Sequence, residues 1–222
     1  MNQYFQENRA LPRAEREFGV DWRGMRLTFA AQRGLFSCRE VDPYSVMLAD
    51  SIPPISGALL DLGCGYGAVG IMLARANPVA LAGCDINGLA VAAAARNAAR
   101  NGVGARYFVS DCLDGLPPAD MFGHIALNPP IHAGKETLGR MFRQSRARLL
   151  PGGALYVVAQ KKHGARAMLA ELSAMFGNCE VLRKKKGAFV AAFLQNGGHG
   201  AILDGREQNT AGRQGADGGS GG

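Results

Sequence analysis

No stretch of the 222-residue chain is apolar for long enough to cross a bilayer. The longest such run, residues 89–95, falls far short of a membrane span. The opening residues, MNQYFQENRALPRAERE, are polar and lack the apolar centre of a signal peptide. These absences make the cytoplasm the expected location. Cysteine is sparse and odd in number: Cys38, Cys64, Cys84, Cys112 and Cys179 include no CxxC pair. That argues against a disulfide framework and against a zinc site, so no metal is expected. The thiols read as small buried hydrophobes in a reducing compartment. No internal repeat is visible.

What is present fits one sizeable globular domain. The chain is 47% hydrophobic and 19% charged, ordinary values for a soluble protein with a substantial core. The net charge is +7; the stretch from Gln195 onward contributes −1 and leaves +8 on the body. Basic residues cluster at Arg140, Arg143, Arg146 and Arg148, at Lys161, Lys162 and Arg166, and from Arg183 to Lys186. A polyanionic partner is the natural hypothesis, set against an ordinary basic surface. Residues 195–222 are glycine-rich and have no apolar period, so they are expected to be disordered.

The body alternates strand and helix signals. Residues 25–36 suggest a strand pair with a turn near Gln32-Arg33-Gly34. Asp42 can cap a short helix that starts at Pro43. ALLDLG, VALAGCD, ARYFVSD, FGHIALN and GGALYVVAQ read as five strands, with helices GAVGIMLARA and NGLAVAAAARNAARNG among them. Asn87 suits the start of the second helix and Gly102 its end. A further helix is expected from about Glu136 to Leu149, another from about Ala165 to Phe176, and a final hairpin in CEVLRKKKGAFVAAFL. The expected organisation is an N-terminal strand pair and helix in 1–50 packed on a core in 51–194, followed by the tail. This order implies a mostly parallel sheet with helices on both faces, binding ligands beyond the carboxyl ends of its strands.

Asp61-Leu-Gly-Cys-Gly-Tyr-Gly-Ala lies between the first of these strands and its helix. Gly63, Gly65 and Gly67 permit a tight turn that a ligand can approach closely. Asp85 ends the next strand, where a carboxylate suits the two hydroxyls of a ribose. Two ligands compete. Gly63, Gly65 and Ala68 fit a loose dinucleotide pattern, which would offer helix-start amides to a pyrophosphate. S-adenosylmethionine has no phosphate, and the acid Asp61 suits its positive charge far better. Asp111, after the third strand, could receive an adenine amino group or simply cap a loop.

The fourth strand stops at Asn128-Pro129-Pro130. Prolines cannot continue a helix or donate to a sheet. In isolation the tripeptide is a rigid turn. Beside a donor loop it has a chemical use. The lone pair of an exocyclic amine on a base is delocalised into the ring, so the amine is a poor nucleophile. Two acceptors on its two N–H bonds turn that lone pair toward an electrophile. Asn128 offers a side-chain oxygen and Pro129 a backbone carbonyl, while Pro130 restricts its neighbour and adds no N–H.

QYFQEN, RGMRLTF, GLFS with VD, DLGCGYGAVGI, DIN, NPPIHAGKE, LLPGGALYVVAQKKHGA and FGN together resemble the small class I methyltransferases of the 16S ribosomal RNA guanine-N2 family, in its single-domain branch. The resemblance covers residues 3–194. It implies a Rossmann-like α/β fold with a seven-stranded sheet whose last strand is antiparallel, and methyl transfer from S-adenosylmethionine to guanine N2 in small-subunit rRNA or an assembly intermediate. The implied donor residues are Asp61, Gly63, Cys64, Gly65, Gly67, Asp85, Ile86, Asp111, Cys112 and Asn128. Asn128, Pro129 and Pro130 would orient the amine. Ile131 takes the place of the aromatic residue that follows NPP in many amine-methylating relatives, so the base would be gripped elsewhere, by His132 or Phe36. Lys135 would meet an RNA phosphate, or stand as a solvated helix-start lysine. Arg140, Arg143, Lys161 and Lys162 would contact the RNA backbone. Since Cys64, Cys84 and Cys112 adjoin these positions, inhibition by a thiol reagent is expected. The duplicated N-terminal half of the large bacterial members has no counterpart here, and a monomer is expected.

NPP reads an NH2 group rather than a base. The same residues therefore leave open another RNA, DNA adenine or a protein glutamine as substrate. A dinucleotide-dependent oxidoreductase and a catalytically silent RNA-binding or assembly factor are the readings from other classes.

Overall fold

The computed structural model describes residues 15–32, 40–130, 134–185 and 187–196. The order of elements is β1 (Glu15–Trp22), β2 (Met25–Gln32), α1 (Pro43–Ser51), β3 (Gly57–Leu62), α2 (Ala68–Ala76), β4 (Val79–Asp85), α3 (Gly88–Arg100), β5 (Ala105–Val109), β6 (Phe122–Leu127), α4 (Gly134–Arg148), β7 (Leu149–Gln160), α5 (Ala165–Phe176), β8 (Glu180–Lys185) and β9 (Ala188–Leu194). A 3-10 turn, Lys161–His163, joins β7 to α5.

Seven strands form one sheet in the order β5-β4-β3-β6-β7-β9-β8. β3, β4, β5, β6 and β7 run parallel, and β9 enters antiparallel between β7 and β8. This is the Rossmann-like sheet with an antiparallel last strand that the sequence implied. Its central strands β3, β7 and β9 are buried and largely apolar on both faces, as burial under helices on both sides requires. Leu59, Ala126, Tyr156, Val158 and Val190 meet Leu48, Ile71 and Met72 on the side of α1, α2 and α3. Leu60, Ile125, Leu155, Val157 and Phe193 meet Met141, Phe142, Leu172 and Phe176 on the side of α4 and α5.

The helix ends follow from local chemistry. Asp42 caps α1 by accepting from the Ser45 amide at 2.9 Å, with Pro43 in the first turn. Asn87 caps α3 through the Leu89 amide. At the other end Val103 N–H donates to Ala98 O and Gly102 N–H to Ala99 O. This double bond pattern needs the left-handed backbone of Gly102, φ +67°.

The first strand pair differs from the expected one. The turn is at Arg23-Gly24, both with positive φ, and β1 pairs with β2 from Glu15↔Gln32 to Trp22↔Met25. Two positive-φ residues give the turn the twist that a two-residue hairpin needs. Gln32 is the end of a strand and not a turn; residues 33–36 of the expected second strand lie outside the described residues. The pair is a separate two-stranded sheet packed on α3. Phe18, Phe29 and Tyr66 stack edge and face within 6.3 Å. Fully buried Asn97 of α3 accepts from Ala30 N–H and donates to the carbonyls of Ala30 and Tyr66, all within 3.0 Å. One side chain thus ties the hairpin to the glycine loop.

Candidate functional site

The carboxyl ends of β3, β4, β5, β6 and β7 open on one edge of the sheet. Each parallel strand there hands over to a loop. After β3 the chain turns through Gly63, Gly65 and Gly67, with φ of +68°, +54° and +90°. The turn is pinned by Cys64 N–H to Cys84 O at 2.9 Å and Gly67 N–H to Cys64 O at 2.8 Å. α2 then begins without a side-chain cap from Gly67; Asp61 takes the Gly70 amide, and the first-turn amides of Ala68 and Val69 have no partner within the helix. Gly70, which the sequence did not single out, is needed for close approach. A Cβ there would sit 3.0 Å from Asp61 Cβ and Oδ2 and 2.8 Å from Leu81.

Three acids surround this loop. Asp61 is buried, 3% exposed, and its Oδ2 accepts the Gly70 amide at 2.8 Å. Burial pushes its carboxyl up to about 7; the Gly70 bond opposes the rise and the nearby charge of Asp85 adds to it. Asp85 ends β4. Its Oδ2 accepts Gly65 N–H at 2.9 Å and its Oδ1 accepts Asn87 N–H at 2.9 Å. Burial raises it as well, against those bonds. Ile86, Leu89 and Val109 stand exposed on the neighbouring segments, a run of apolar surface beside two carboxylates. Asp111 lies beyond β5 and is paired with the Arg140 guanidinium of α4, whose Nε also donates to Cys112 Sγ at 3.3 Å. Arg140 is therefore engaged by a partly exposed ion pair in this structure.

Cys64, Cys84 and Cys112 do lie around the loop, and all three are buried. Burial raises each thiol, Cys84 to about 12. Thiols held protonated are poor nucleophiles, which corrects the expectation that a thiol reagent inhibits through them. Their Sγ atoms make long polar contacts within the protein, among them Cys84 Sγ to Cys112 O at 3.5 Å.

Asn128 follows β6, next to β3 in the sheet, and is half-buried. Its Nδ2 donates to Asp42 Oδ2 at 3.0 Å and to Ser45 Oγ at 2.9 Å. A carboxylate only accepts hydrogen bonds, so this contact fixes which end of the amide is nitrogen. Both N–H groups are consumed. Among the described residues Oδ1 accepts nothing, and it is left for a ligand. Pro129 is half-buried and Pro130 exposed. Asp42 appeared in the sequence only as a helix cap. It serves two ends at once, and no sequence signal joins it to a residue 86 positions away.

Pro129 and Pro130 also line a cleft with Val158, Gln160 and His163. Lys135 is exposed in the first turn of α4. Lys161 and Lys184 flank the Phe189 ring, at 5.6 Å and 5.8 Å from its centre. Arg143, Arg146, Lys162 and Arg166 are exposed, whereas Arg148 binds the carbonyls of Pro117 and Asp120, and Arg183 pairs with Asp50. Phe36, Ile131 and His132 lie outside the described residues. Among the described residues no group of three or more His, Cys, Asp and Glu is placed to hold a metal, and no helix is long and apolar enough to cross a membrane.

Residues 26–192 match the family model of the methyltransferase small domain. The chain is 34% identical over 191 residues to the uncharacterized protein YbxB of Bacillus subtilis, covering 84% of this chain and 95% of that one. It is 31% identical to ribosomal RNA small subunit methyltransferase C of Vibrio cholerae over 76% of this chain and 50% of that one. The fold resembles that of the T. thermophilus 16S rRNA N2 G1207 methyltransferase RsmC, solved in complex with AdoMet and guanosine. The TM-score is 0.74 at 26% identity, over 86% of this chain and 53% of that one. The chain spans about half the length of those two rRNA enzymes.

Proposed function

The chain belongs to the methyltransferase small-domain family, and from that premise we propose that it transfers a methyl group from S-adenosylmethionine to guanine N2 in small-subunit ribosomal RNA. The observation that carries this reading is the fixed amide of Asn128. Its nitrogen is held by Asp42 and Ser45, and it follows β6, the parallel neighbour of the strand that leads into the glycine loop.

The residues of the loop fit the donor. Asp61, buried and pushed up to about 7, gains from a cationic neighbour what it loses by burial. A pyrophosphate would add like charge at the same place. Asp85 keeps acceptor capacity on both oxygens beyond its two amide bonds, enough for two ribose hydroxyls. Ile86 and Val109 offer exposed apolar surface to an adenine ring. The uncapped start of α2 suits the carboxylate of the methionine end. S-adenosylmethionine, when bound, supplies the electrophilic methyl group. Asn128 Oδ1 and the Pro129 carbonyl accept the two N–H bonds of the substrate amine, which points its lone pair at that group and holds the pair in reacting geometry. The amine becomes acidic only once methylated, so no strong base has to act first.

The body charge of +8 and the exposed cations Lys161, Lys162, Arg166 and Lys184 beside the cleft favour a polyanionic substrate over a protein amide. A guanine inside a helix hides its amine, so the target is single-stranded or flipped. RNA of this kind places the reaction in the cytoplasm. The rRNA enzymes it resembles are about twice as long as this chain.

Calorimetric titration with S-adenosylhomocysteine, with NAD in parallel, tests the donor. Binding of S-adenosylhomocysteine alone is expected. Binding of NAD alone would overturn the reading, and binding of neither would leave an RNA-binding module without the enzyme activity.

A further inference from the structure

The amide clamp accepts two N–H bonds and is blind to the rest of the base. Guanine, adenine and cytosine all carry a suitable amine. What separates them is the ring atom beside it. In guanine the N1 neighbour of the amine bears a proton and donates. In adenine and cytosine the corresponding ring nitrogen has a lone pair and accepts. A protein acceptor facing that position pairs with guanine and repels the other two.

Four buried side-chain polar atoms among the described residues have no hydrogen-bond partner: Tyr107 OH, His124 Nδ1, Ser145 Oγ and Gln160 Oε1. Of the four residues, only Gln160 lines the cleft beside Pro129 and Pro130. Gln160 is 7% exposed. A buried amide oxygen without a partner is costly, and such an atom calls for an explanation. Its backbone is rigidly held, since Gln160 ends β7, pairs with Ala188 of β9, and is followed by Lys161 N–H to Gly187 O at 2.8 Å. β7 is also the parallel neighbour of β6, which carries the Asn-Pro-Pro segment. Leu138, Val158 and Met168 supply the apolar wall of the cleft.

We propose that Gln160 is the specificity-determining residue of the site, its Oε1 accepting the N1 proton of guanine while Asn128 and Pro129 hold the N2 amine. The inference rests on the reading of the site as a guanine-N2 methyltransferase. It answers what the Asn-Pro-Pro segment leaves open, because that segment reads an amine and Gln160 reads the base.

The test is a protein-observed NMR titration of the full chain saturated with S-adenosylhomocysteine. Guanosine is compared with 2-aminopurine riboside, which keeps the amine and lacks the N1 proton. Each is titrated into the unaltered protein and into Gln160→Met, which is similar in size and has no comparable acceptor. The unaltered protein is expected to favour guanosine by about tenfold or more, the worth of one well-made buried hydrogen bond. In Gln160→Met the preference is expected to shrink toward unity. S-adenosylhomocysteine affinity, unchanged in the variant, reports that the fold is intact. Comparing two ligands on one protein removes any general loss of stability from the result. An undiminished preference for guanosine in Gln160→Met overturns the role of Gln160 and leaves the methyltransferase reading standing. Failure of guanosine to bind the unaltered protein overturns the guanine reading itself.

Discussion

The side-chain nitrogen of Asn128 donates to the carboxylate of Asp42 at 3.0 Å, across 86 positions of sequence. The bond sets the direction of an amide that could otherwise turn end for end. An amide in the reverse sense would present N–H groups to a substrate amine and repel it.

Asp42→Asn tests that orientation with little cost to the helix, because Asn caps a helix about as well as Asp. It replaces a group that only accepts with one that also donates, so the Asn128 amide is no longer fixed. We expect kcat to fall by about 10- to 100-fold, the effect of losing alignment at a reacting centre. S-adenosylhomocysteine affinity stays within about twofold, as for a change outside the donor loop. Asn128→Ala should abolish turnover with the same small effect on donor affinity. Parallel rate and calorimetric measurements separate these terms. A loss of donor affinity equal to the loss of rate contradicts the orienting role.

Donor binding should depend on pH through Asp61. Its carboxyl stands at about 7 in the folded protein, mainly because of burial. Below the ordinary value of 3.8 it is protonated in both folded and unfolded chains. Between 3.8 and about 7 the unfolded chain releases the proton and the native one keeps it, so the stability of the ligand-free protein falls as pH rises through that window, by roughly 4 kcal/mol in all. A cationic ligand favours the ionised form. Affinity for S-adenosylmethionine is therefore expected to rise from pH 6 to pH 8, and Asp61→Asn should flatten the profile. A profile identical in protein and variant would show that Asp61 does not meet the donor's charge.

Asn97→Ala removes the side chain that holds the hairpin to the glycine loop. The Ala30 N–H and the carbonyls of Ala30 and Tyr66 lose partners in a buried place. We expect a loss of about 3–5 kcal/mol in denaturant unfolding. A change below about 1 kcal/mol would mean that water or a shifted side chain replaces the lost bonds.

Thiol labelling of the native protein, read site by site by mass spectrometry, should modify Cys179, which is exposed, well before Cys64, Cys84 or Cys112. Burial keeps those three protonated. Fast labelling of Cys84 would show that the sheet edge opens readily.

The parallel core was legible because its signals are local and agree. Five apolar strands alternate with helices whose caps, Asp42, Asn87 and Gly102, sit at fixed offsets from the apolar period. The hairpin was misplaced because EREFGVDW is half charged and does not look like a strand; only its inward Phe18, Val20 and Trp22 alternate. Arg-Gly occurs at both 23–24 and 33–34, and tertiary contact with α3 decides between the two. The glycine loop and Asp61 were visible because donor chemistry and backbone chemistry coincide there. The second use of Asp42, the need for glycine at 70, the pairing of Arg140 with Asp111 and the unpaired oxygen of Gln160 were not visible. Each depends on segments that the sheet brings together and that no spacing along the chain reports.

The most direct measurement supplies the protein with methyl-labelled S-adenosylmethionine and small-subunit rRNA, digests the RNA, and identifies the labelled nucleoside by mass spectrometry. The account predicts N2-methylguanosine, absent when Asn128 is replaced by Ala. Label on another nucleoside, or none at all with active donor binding, would contradict it.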